Sequence, residues 1–308
     1  MKTLIPAVAA GLLSTTLALA AQAEDARCAT VKLGDPGWSD IAVTNGVARL
    51  LLDGLGYRTE TQTLAVPIIF AGLQKGQVDA FLGNWMPAQQ SNYDRFVASG
   101  EVERLAENLT GTEYTLAVPR YAYEAGVKTF ADLDSHAERF KHTLYGIAAG
   151  SPANVSIQEM IRSNEFGLGD WKLVESSEQA MLVQVGRAVK RNEFVVFLGW
   201  TPHPMNVQHD LVYLKGGERY FGESGSVNTL ARKGYAQQCP NVGRLLANLQ
   251  FTQVMENSVM DQVLSGKASN EAAVKAWIKA NPAALEAWLN GVTTREGGDG
   301  LAAVKAKL

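Results

Sequence analysis

The residues of this sequence best suited to chemistry are four aromatic side chains that stand next to turn residues. They are Trp38, Trp85, Tyr114 and Trp200. An acidic residue, Asp40, follows the first of them by two positions, and no Lys or Arg stands beside the tryptophans. A quaternary ammonium group has no N–H to donate, so aromatic faces and a nearby negative charge hold it best, at about 0.5 to 2 kcal/mol per aromatic contact. The set therefore predicts a pocket for an organic cation.

Two stretches place their Trp in the same frame. Residues 81–87 and 197–204 each begin as an apolar run that stops at Gly and then shows Trp and Pro. The runs before the Gly, at 78–82 and 194–198, are short, β-branched and aromatic, which is typical of buried strands. We therefore expect each Trp just past the carboxyl end of a strand, where ligands bind in open α/β sheets.

Each residue of the set also has a structural alternative. A Trp beside Pro is often a core or lid residue, because Trp is largely buried in most proteins. Tyr114 could instead be a core residue in a hinge strand. Asp40 could instead be a carboxylate in the first turn of a helix, where it complements the helix dipole. The repeated frame of Trp85 and Trp200 favours the pocket.

Strands and helices alternate along the chain, which predicts parallel α/β layers. A helix is expected at 41–55 with Ser39 as its N-cap, and a second α/β set begins at a boundary near Thr110. Strands at 211–214 and 226–231 are expected to return to the first set. Two crossings between the layers predict a hinged clam shell of two lobes. Its predicted parts are a first lobe of residues 24–110 and 207–308 and a second lobe of residues 111–206.

The beginning of the chain has the pattern of a secretory signal peptide. Residues 1–23 start with Lys2, run apolar over 4–20 and end in Ala-Gln-Ala, which predicts cleavage before Glu24. A retained membrane anchor is the alternative. The short apolar run and the lack of a second hydrophobic span disfavour it. We expect an exported, periplasmic protein.

Composition limits the classes of partner. The 308 residues are 46% hydrophobic and 19% charged, which is globular composition with enough chain for two domains. Loss of Lys2 takes the formal net charge from −3 to −4, and no basic stripe remains. Nucleic acid and anionic membrane surfaces are therefore not expected partners.

The cysteine count predicts one disulfide. Cys28 and Cys239 are the two cysteines, and an even pair in an oxidising compartment most simply forms a bridge, with two free thiols as the alternative. Such a bond would bring the late part of the chain back to the first strand.

Common catalytic and cofactor motifs are absent from the sequence. It contains no GxxxxGK[ST], GxGxxG or GxSxG, and its four His show neither HExxH nor paired-Cys zinc spacing. We therefore expect no metal, no cofactor and no enzyme activity.

The aromatic segments resemble those of the periplasmic choline-binding proteins of ABC importers, and the likeness covers nearly the whole chain after residue 23. The segments are DPGWSD at 35–40, LGNWMP at 82–87, GTEY at 111–114 and LGWTPH at 198–203. The resemblance implies a two-lobed α/β periplasmic binding protein of the type II kind, with its ligand in the cleft between the lobes. It also implies an ABC permease as partner; we expect the protein itself to be a monomer.

The resemblance further implies a role for each residue. The four aromatic residues would form a box around the cation, and Asp40 would contact the cation and the choline hydroxyl. A further polar contact would come from the loop at 150–154. Where the family has an Asn in this loop, the present chain has Ser151, with Asn154 three positions later. Both are candidates, and helix capping is the alternative for both.

The predicted function is therefore capture of a trimethylammonium compound, choline above all, for an importer. One alternative is the same fold tuned to carnitine or glycine betaine, whose carboxylate would need donors such as the helix start at 151–154. Asp40 disfavours it by repelling a nearby carboxylate. The alternative from another class is a secreted hydrolase of choline esters, with His203 as the base, but no Ser stands in an activating motif.

Overall fold

A single long strand, β4 (Val102–Pro119), belongs to both sheets of the molecule. The computed structural model describes residues 25–308, and in them two sheets meet at this strand. The other strands are β1 (Thr30–Asp35), β2 (Arg58–Thr63), β3 (Ala80–Met86), β5 (Thr143–Tyr145), β6 (Lys172–Val174), β7 (Val196–Thr201), β8 (Leu211–Tyr213) and β9 (Gly225–Arg232). The first sheet has the order β2-β1-β3-β9-β4 and the second β8-β4-β7-β5-β6.

Helices cover both sheets. They are α1 (Ser39–Gly54), α2 (Val66–Gln74), α3 (Gln90–Asn92), α4 (Arg120–Glu124), α5 (Asp132–Ser135), α6 (Ala137–Phe140), α7 (Pro152–Arg162), α8 (Glu178–Lys190), α9 (Met205–Gln208), α10 (Glu218–Phe221), α11 (Tyr235–Gln238), α12 (Pro240–Asn248), α13 (Gln253–Leu264), α14 (Asn270–Ala280), α15 (Pro282–Trp288) and α16 (Gly300–Lys305). Helices α13, α14 and α16 pack on α1. The predicted fold class, an α/β protein of two lobes, is confirmed.

The crossing between the lobes lies inside β4. Its first half pairs with β9 as far as Thr112, and from Glu113 onward it pairs with β7. The sequence predicted a boundary near Thr110, where a second α/β set begins. The strand is continuous because a partner strand takes up the backbone hydrogen bonds on each side of the crossing.

The position of β8 corrects the predicted division of the chain. The strand expected to return to the first lobe pairs instead with Ala117–Pro119 of β4, in the second sheet. It satisfies backbone groups at that end of β4, which β9 does not reach. The chain returns between Tyr213 and Gly225, so the predicted boundary at residue 206 comes too early.

The two tryptophans of the repeated frame lie within strands rather than past them. Trp85 pairs with Val227 of β9, and Trp200 pairs with Tyr114 of β4. The prediction that each strand ends at its Gly was wrong, because an antiparallel partner extends each ladder beyond it. Both residues are still among the last two of their strands.

A close approach explains the Gly that precedes each Trp. A Cβ atom at Gly83 would lie 2.7 Å from the Ile41 side chain of α1. At Gly199 it would lie 2.7 Å from the Tyr213 ring. Glycine therefore lets a helix in one lobe and an aromatic ring in the other lie directly against the strand.

The predicted disulfide is present. Cys28 and Cys239 are joined, with 5.6 Å between their Cα atoms, and both are fully buried. The bond fastens the start of the first sheet to the helices that close over it. Residues 1–23, the predicted signal peptide, lie outside the described residues. In the part of the chain from 25 to 308, no helix has both the length and the apolar character that a bilayer crossing requires.

Candidate ligand-binding site

The first part of the site is the start of α1. Gly37 has a φ of +81°, and its N–H donates to Asp35 Oδ1 at 2.7 Å, so the chain turns sharply where β1 ends. Helix α1 then begins with Trp38 at the N-cap position and Ser39 as its first residue. The prediction of Ser39 as N-cap was therefore wrong by one position. Asp40 lies in the first turn, buried at 3% exposure.

A hydrogen bond joins Asp40 to the end of β3. The indole N–H of Trp85 donates to Asp40 Oδ2 at 2.8 Å, and both side chains are buried. This bond fixes the plane of the indole and uses one oxygen of the carboxylate. The carboxylate therefore lies beside the edge of the indole ring.

Tyr114 and Trp200 are neighbours across the second sheet. They are register partners on β4 and β7, and the Tyr114 ring lies 6.0 Å from that of Trp85. Burial raises the pKa of the Tyr114 hydroxyl far above its usual value, against a smaller opposing effect of a hydrogen bond with the Ala153 backbone. The hydroxyl is thus neutral, and the ring connects the two lobes.

These residues line one pocket between the lobes. It encloses about 370 Å³ of space not filled by atoms, including the part open at its mouth. Its walls are Trp38, Asp40, Trp85, Ala88, Gln89, Tyr114, Ile147, Pro152 and Trp200. The five residues predicted from the aromatic set and its acidic neighbour are therefore brought together, and their contact with a ligand stays a prediction.

Ser151 and Asn154 are not among the lining residues. The Ser151 hydroxyl accepts from the Asn154 N–H at 3.3 Å and caps α7. The Asn154 amide is engaged by Ile147, whose N–H it accepts at 3.1 Å and whose carbonyl it meets at 2.7 Å, and by Glu175 at 2.8 Å. Ser151 therefore has the helix-capping role that was its alternative, whereas the Asn154 side chain holds the preceding loop. Contact of either residue with a ligand stays a prediction.

Sequence reasoning missed several wall residues. Gln89 is fully buried, with its amide held by Asn84 at 3.1 Å and by the Gly83 carbonyl at 2.8 Å. Its position shortly after Trp85 was the available signal. Pro152 lies within the loop that was singled out for its polar residues, and Ile147 lies shortly before it, so apolar side chains of this segment line the pocket.

The carboxyl of Asp40 has an unusual electrostatic environment. Burial, and secondly the charge of Glu178, raise the pKa of Asp40 to about 7, against the opposing effect of the Trp85 hydrogen bond. Burial also raises the pKa of Glu256 well above its usual value, with the charge of Asp40 as the second cause. Within residues 25–308, Glu256 Oε2 is buried without a hydrogen-bond partner. A cation in the pocket would relieve the unfavourable charge of Asp40.

The pocket carries no arrangement typical of a metal centre. Over the described range 25–308, no group of three or more His, Cys, Asp or Glu side chains is placed to hold a metal ion. The charged group of the site is a single carboxylate among aromatic rings. This arrangement suits an organic cation better than a metal ion.

Comparison with known proteins places the chain in a family. Residues 29–280 match the profile of the substrate binding domain of ABC-type glycine betaine transport systems, which spans most of the chain. The chain belongs to this family. It is the substrate-binding component of an ABC importer, and substrate-binding proteins of this family act outside the cytoplasm.

Solved structures of this family include two with high similarity to the chain. A choline binding protein of an ABC transporter in complex with choline has 44% identity and a TM-score of 0.90, covering 92% of this chain and 99% of its own. An unliganded, semi-closed form of such a protein has 44% identity and a TM-score of 0.84, covering 91% and 99%. The chain is therefore more similar in overall structure to the choline-bound form than to the unliganded form.

A relative with a described transport role is more distant. The glycine betaine/carnitine transport binding protein GbuC of Listeria monocytogenes is 31% identical over 189 residues, which are 60% of this chain and 63% of GbuC. The family thus contains proteins named for different quaternary ammonium ligands.

Proposed function

We propose that the protein binds choline in the pocket between its lobes and delivers it to an ABC permease. The observation that carries the proposal is the buried Asp40 carboxylate, bonded to Trp85 at 2.8 Å within a wall of four aromatic side chains. Each ring face contributes about 0.5 to 2 kcal/mol toward a cation, and more where water is excluded. The similarity to a choline-bound protein supports the same ligand.

Glycine betaine and carnitine are the second candidates, since a relative is named for both. Each carries a carboxylate that requires N–H or cationic partners. Among the described residues that line the pocket, none is Lys or Arg, and the charge of Asp40 repels an anionic group. These features support choline over the zwitterions.

We also propose that the protein has no hydrolase activity. The expected base of a hydrolase, His203, has its Nδ1 engaged by the Met205 N–H at 3.0 Å and its Nε2 3.3 Å from Glu178 Oε1. The nearby Ser39 hydroxyl donates to Glu178 rather than to the imidazole. The histidine is therefore occupied by structural contacts, and it does not activate Ser39.

The proposed function also includes the location of the protein and the bounds of its two lobes. We propose a periplasmic protein from which residues 1–23 are removed as a signal peptide. Its lobes, divided at the two crossings, are a first lobe of residues 25–112 and 225–308 and a second lobe of residues 113–224.

Calorimetric titration of the purified protein with choline, acetylcholine, carnitine and glycine betaine tests the ligand. We expect choline to bind more tightly than carnitine or betaine. Tighter binding of betaine would show that the pocket accommodates a carboxylate and would overturn the choice of choline. Turnover of a chromogenic choline ester would overturn the absence of hydrolase activity.

A further inference from the structure

A buried carboxylate of the second lobe is bound to the first helix of the first lobe. Glu178, the first residue of α8, accepts the N–H of Ser39 at Oε2, at 3.1 Å, and the hydroxyl of Ser39 at Oε1. The two residues are 139 positions apart, and their exposures are 2% and 8%. The contact joins the lobes directly beside the pocket, because Ser39 lies between two of its wall residues, Trp38 and Asp40.

The contact supplies something that α1 lacks. Trp38 holds the N-cap position and makes no side-chain capping bond, whereas α7, α8, α13, α14 and α16 are each capped by a Ser, Thr or Asp of their own. The first N–H groups of a helix require acceptors, and a negative charge there is favoured by the helix dipole. Glu178 therefore caps α1 from the opposite lobe.

The other side of the carboxylate faces the second-lobe half of the pocket. The Met205 N–H donates to His203 Nδ1 at 3.0 Å, which leaves the ring proton on Nε2, 3.3 Å from Glu178 Oε1. The imidazole in turn lies against the Trp200 ring, with 5.2 Å between ring centroids. One carboxylate thus connects the Trp38 segment with the Trp200 segment.

We propose that Glu178 is a positioning residue for ligand capture, which holds the two halves of the aromatic pocket together in the closed form. When the lobes separate, the hydrogen bond between the Glu178 carboxylate and the Ser39 N–H breaks, and each group bonds to water instead. The contact therefore forms whenever the lobes close, and with a ligand in the cleft it opposes the ligand's escape more than it assists its entry. This inference rests on the proposed capture of a quaternary ammonium ligand.

The charge of Glu178 has a second effect on the pocket. It acts on Asp40 from the second lobe, and it is one cause of the raised pKa of Asp40; Glu256 on α13 is the other buried carboxyl coupled to Asp40. Removal of the Glu178 charge should lower the pH at which Asp40 ionises. A defect that only loosened the cleft would also lower that pH, because burial is the first cause of the raised pKa of Asp40. Ser39→Ala, which weakens the contact but keeps the Glu178 charge, is therefore the control for the effect of the charge.

The test compares Glu178→Gln and Ser39→Ala with Glu159→Gln, which removes one negative charge from an exposed position on α7 of the same lobe. Stopped-flow Trp fluorescence with choline gives association and dissociation rates. Hydrogen bonds to charged groups correspond to about a 10- to 100-fold change in affinity. We expect Glu178→Gln to raise the dissociation rate by about this factor and to change the association rate less than threefold.

The paired variant and the pH profile sharpen the test. In Ser39→Ala with Glu178→Gln the effects should combine to less than their product, because both remove one contact. In Glu178→Gln the choline affinity should reach its plateau at a lower pH than in the wild type. Ser39→Ala, a mild change, remains informative should the Gln variant not fold.

Two outcomes separate this inference from the proposed function. If the wild type binds choline and Glu178→Gln releases it no faster than Glu159→Gln, the positioning role is overturned while choline capture stands. If the wild type does not bind choline, small-angle scattering without ligand still tests whether Glu178 holds the lobes together. Glu178→Gln should then have a larger radius of gyration than Glu159→Gln, and equal radii would overturn the inference.

Discussion

The two lobes contribute different chemistry to the pocket. The first lobe supplies the charged group, Asp40, with Trp38 and Trp85 beside it, whereas the second supplies Trp200 and the apolar side chains Ile147 and Pro152. Tyr114 lies between them, next to the crossing in β4. Under the proposed function, the first lobe would distinguish a cation from a zwitterion, while the second would present a surface that any trimethylammonium head can use.

Removal of the second-lobe aromatic face should have the largest effect on affinity. Trp200→Ala should weaken choline, acetylcholine, carnitine and betaine together, by about 30- to 1000-fold, because Trp truncation at a binding centre typically costs 2 to 4 kcal/mol. Calorimetric titration with all four measures this. A loss confined to choline would mean that the second lobe also discriminates, and the division of roles would be wrong.

Neutralising the first-lobe charge should have a smaller and selective effect. Asp40→Asn retains the shape of the side chain and an acceptor for the Trp85 indole, and it removes the negative charge. We expect choline to bind about 10- to 100-fold more weakly, since hydrogen bonds to charged groups are worth about 1.5 to 3 kcal/mol. Betaine and carnitine should change less or improve. Unchanged choline affinity in this variant would reduce Asp40 to a helix-start charge.

The same charge predicts a pH dependence. The pKa of Asp40 is raised to about 7 in the empty pocket, so at lower pH the pocket binds a proton that a cation must displace. Choline affinity should be constant above pH 7 and fall by at most about tenfold per pH unit below it, toward the level of the neutral side chain. Titration in buffers of different ionisation enthalpy should detect proton release near pH 6, and Asp40→Asn should abolish it.

The disulfide should have the smallest effect on affinity, because it lies in the first lobe away from the pocket walls. Replacing Cys28 and Cys239 by Ser should lower the free energy of unfolding by about 2 to 5 kcal/mol. Choline affinity should change by less than about twofold. Urea unfolding and titration of the same preparation measure both, and a tenfold loss of affinity would show that the bond also shapes the pocket.

Local sequence patterns predicted what depends on local chemistry. The aromatic set could be found because residue type and a repeated frame identify it, and the alternation of strands and helices predicted two α/β lobes. Glu178 could not be found in this way, because it reaches Ser39 from 139 positions away and no pattern around either residue records the contact. Likewise, the antiparallel partners that extend β3 and β7 through their tryptophans come from distant segments.

Ser151 and Asn154 show that a local sequence pattern can be recognised and still not reveal its role. A polar pair at a helix start has the same sequence signature whether it caps the helix or faces a ligand. The choice depends on which way the preceding loop turns. Here the Asn154 amide is directed back to the Ile147 backbone, and that leaves the Ile147 side chain for the pocket wall.

Because α1 is capped from the other lobe, the exchange rate of one amide hydrogen should report how often the cleft opens. The Ser39 N–H is bound to Glu178 across the cleft, whereas the Ala42 N–H is bound within its own lobe to the Trp38 carbonyl at 2.9 Å. Deuterium can replace the first whenever the lobes part, and the second only when the helix itself frays. The ratio of the two exchange rates would therefore measure how often the empty protein opens, and a saturating ligand should slow the first while leaving the second nearly unchanged.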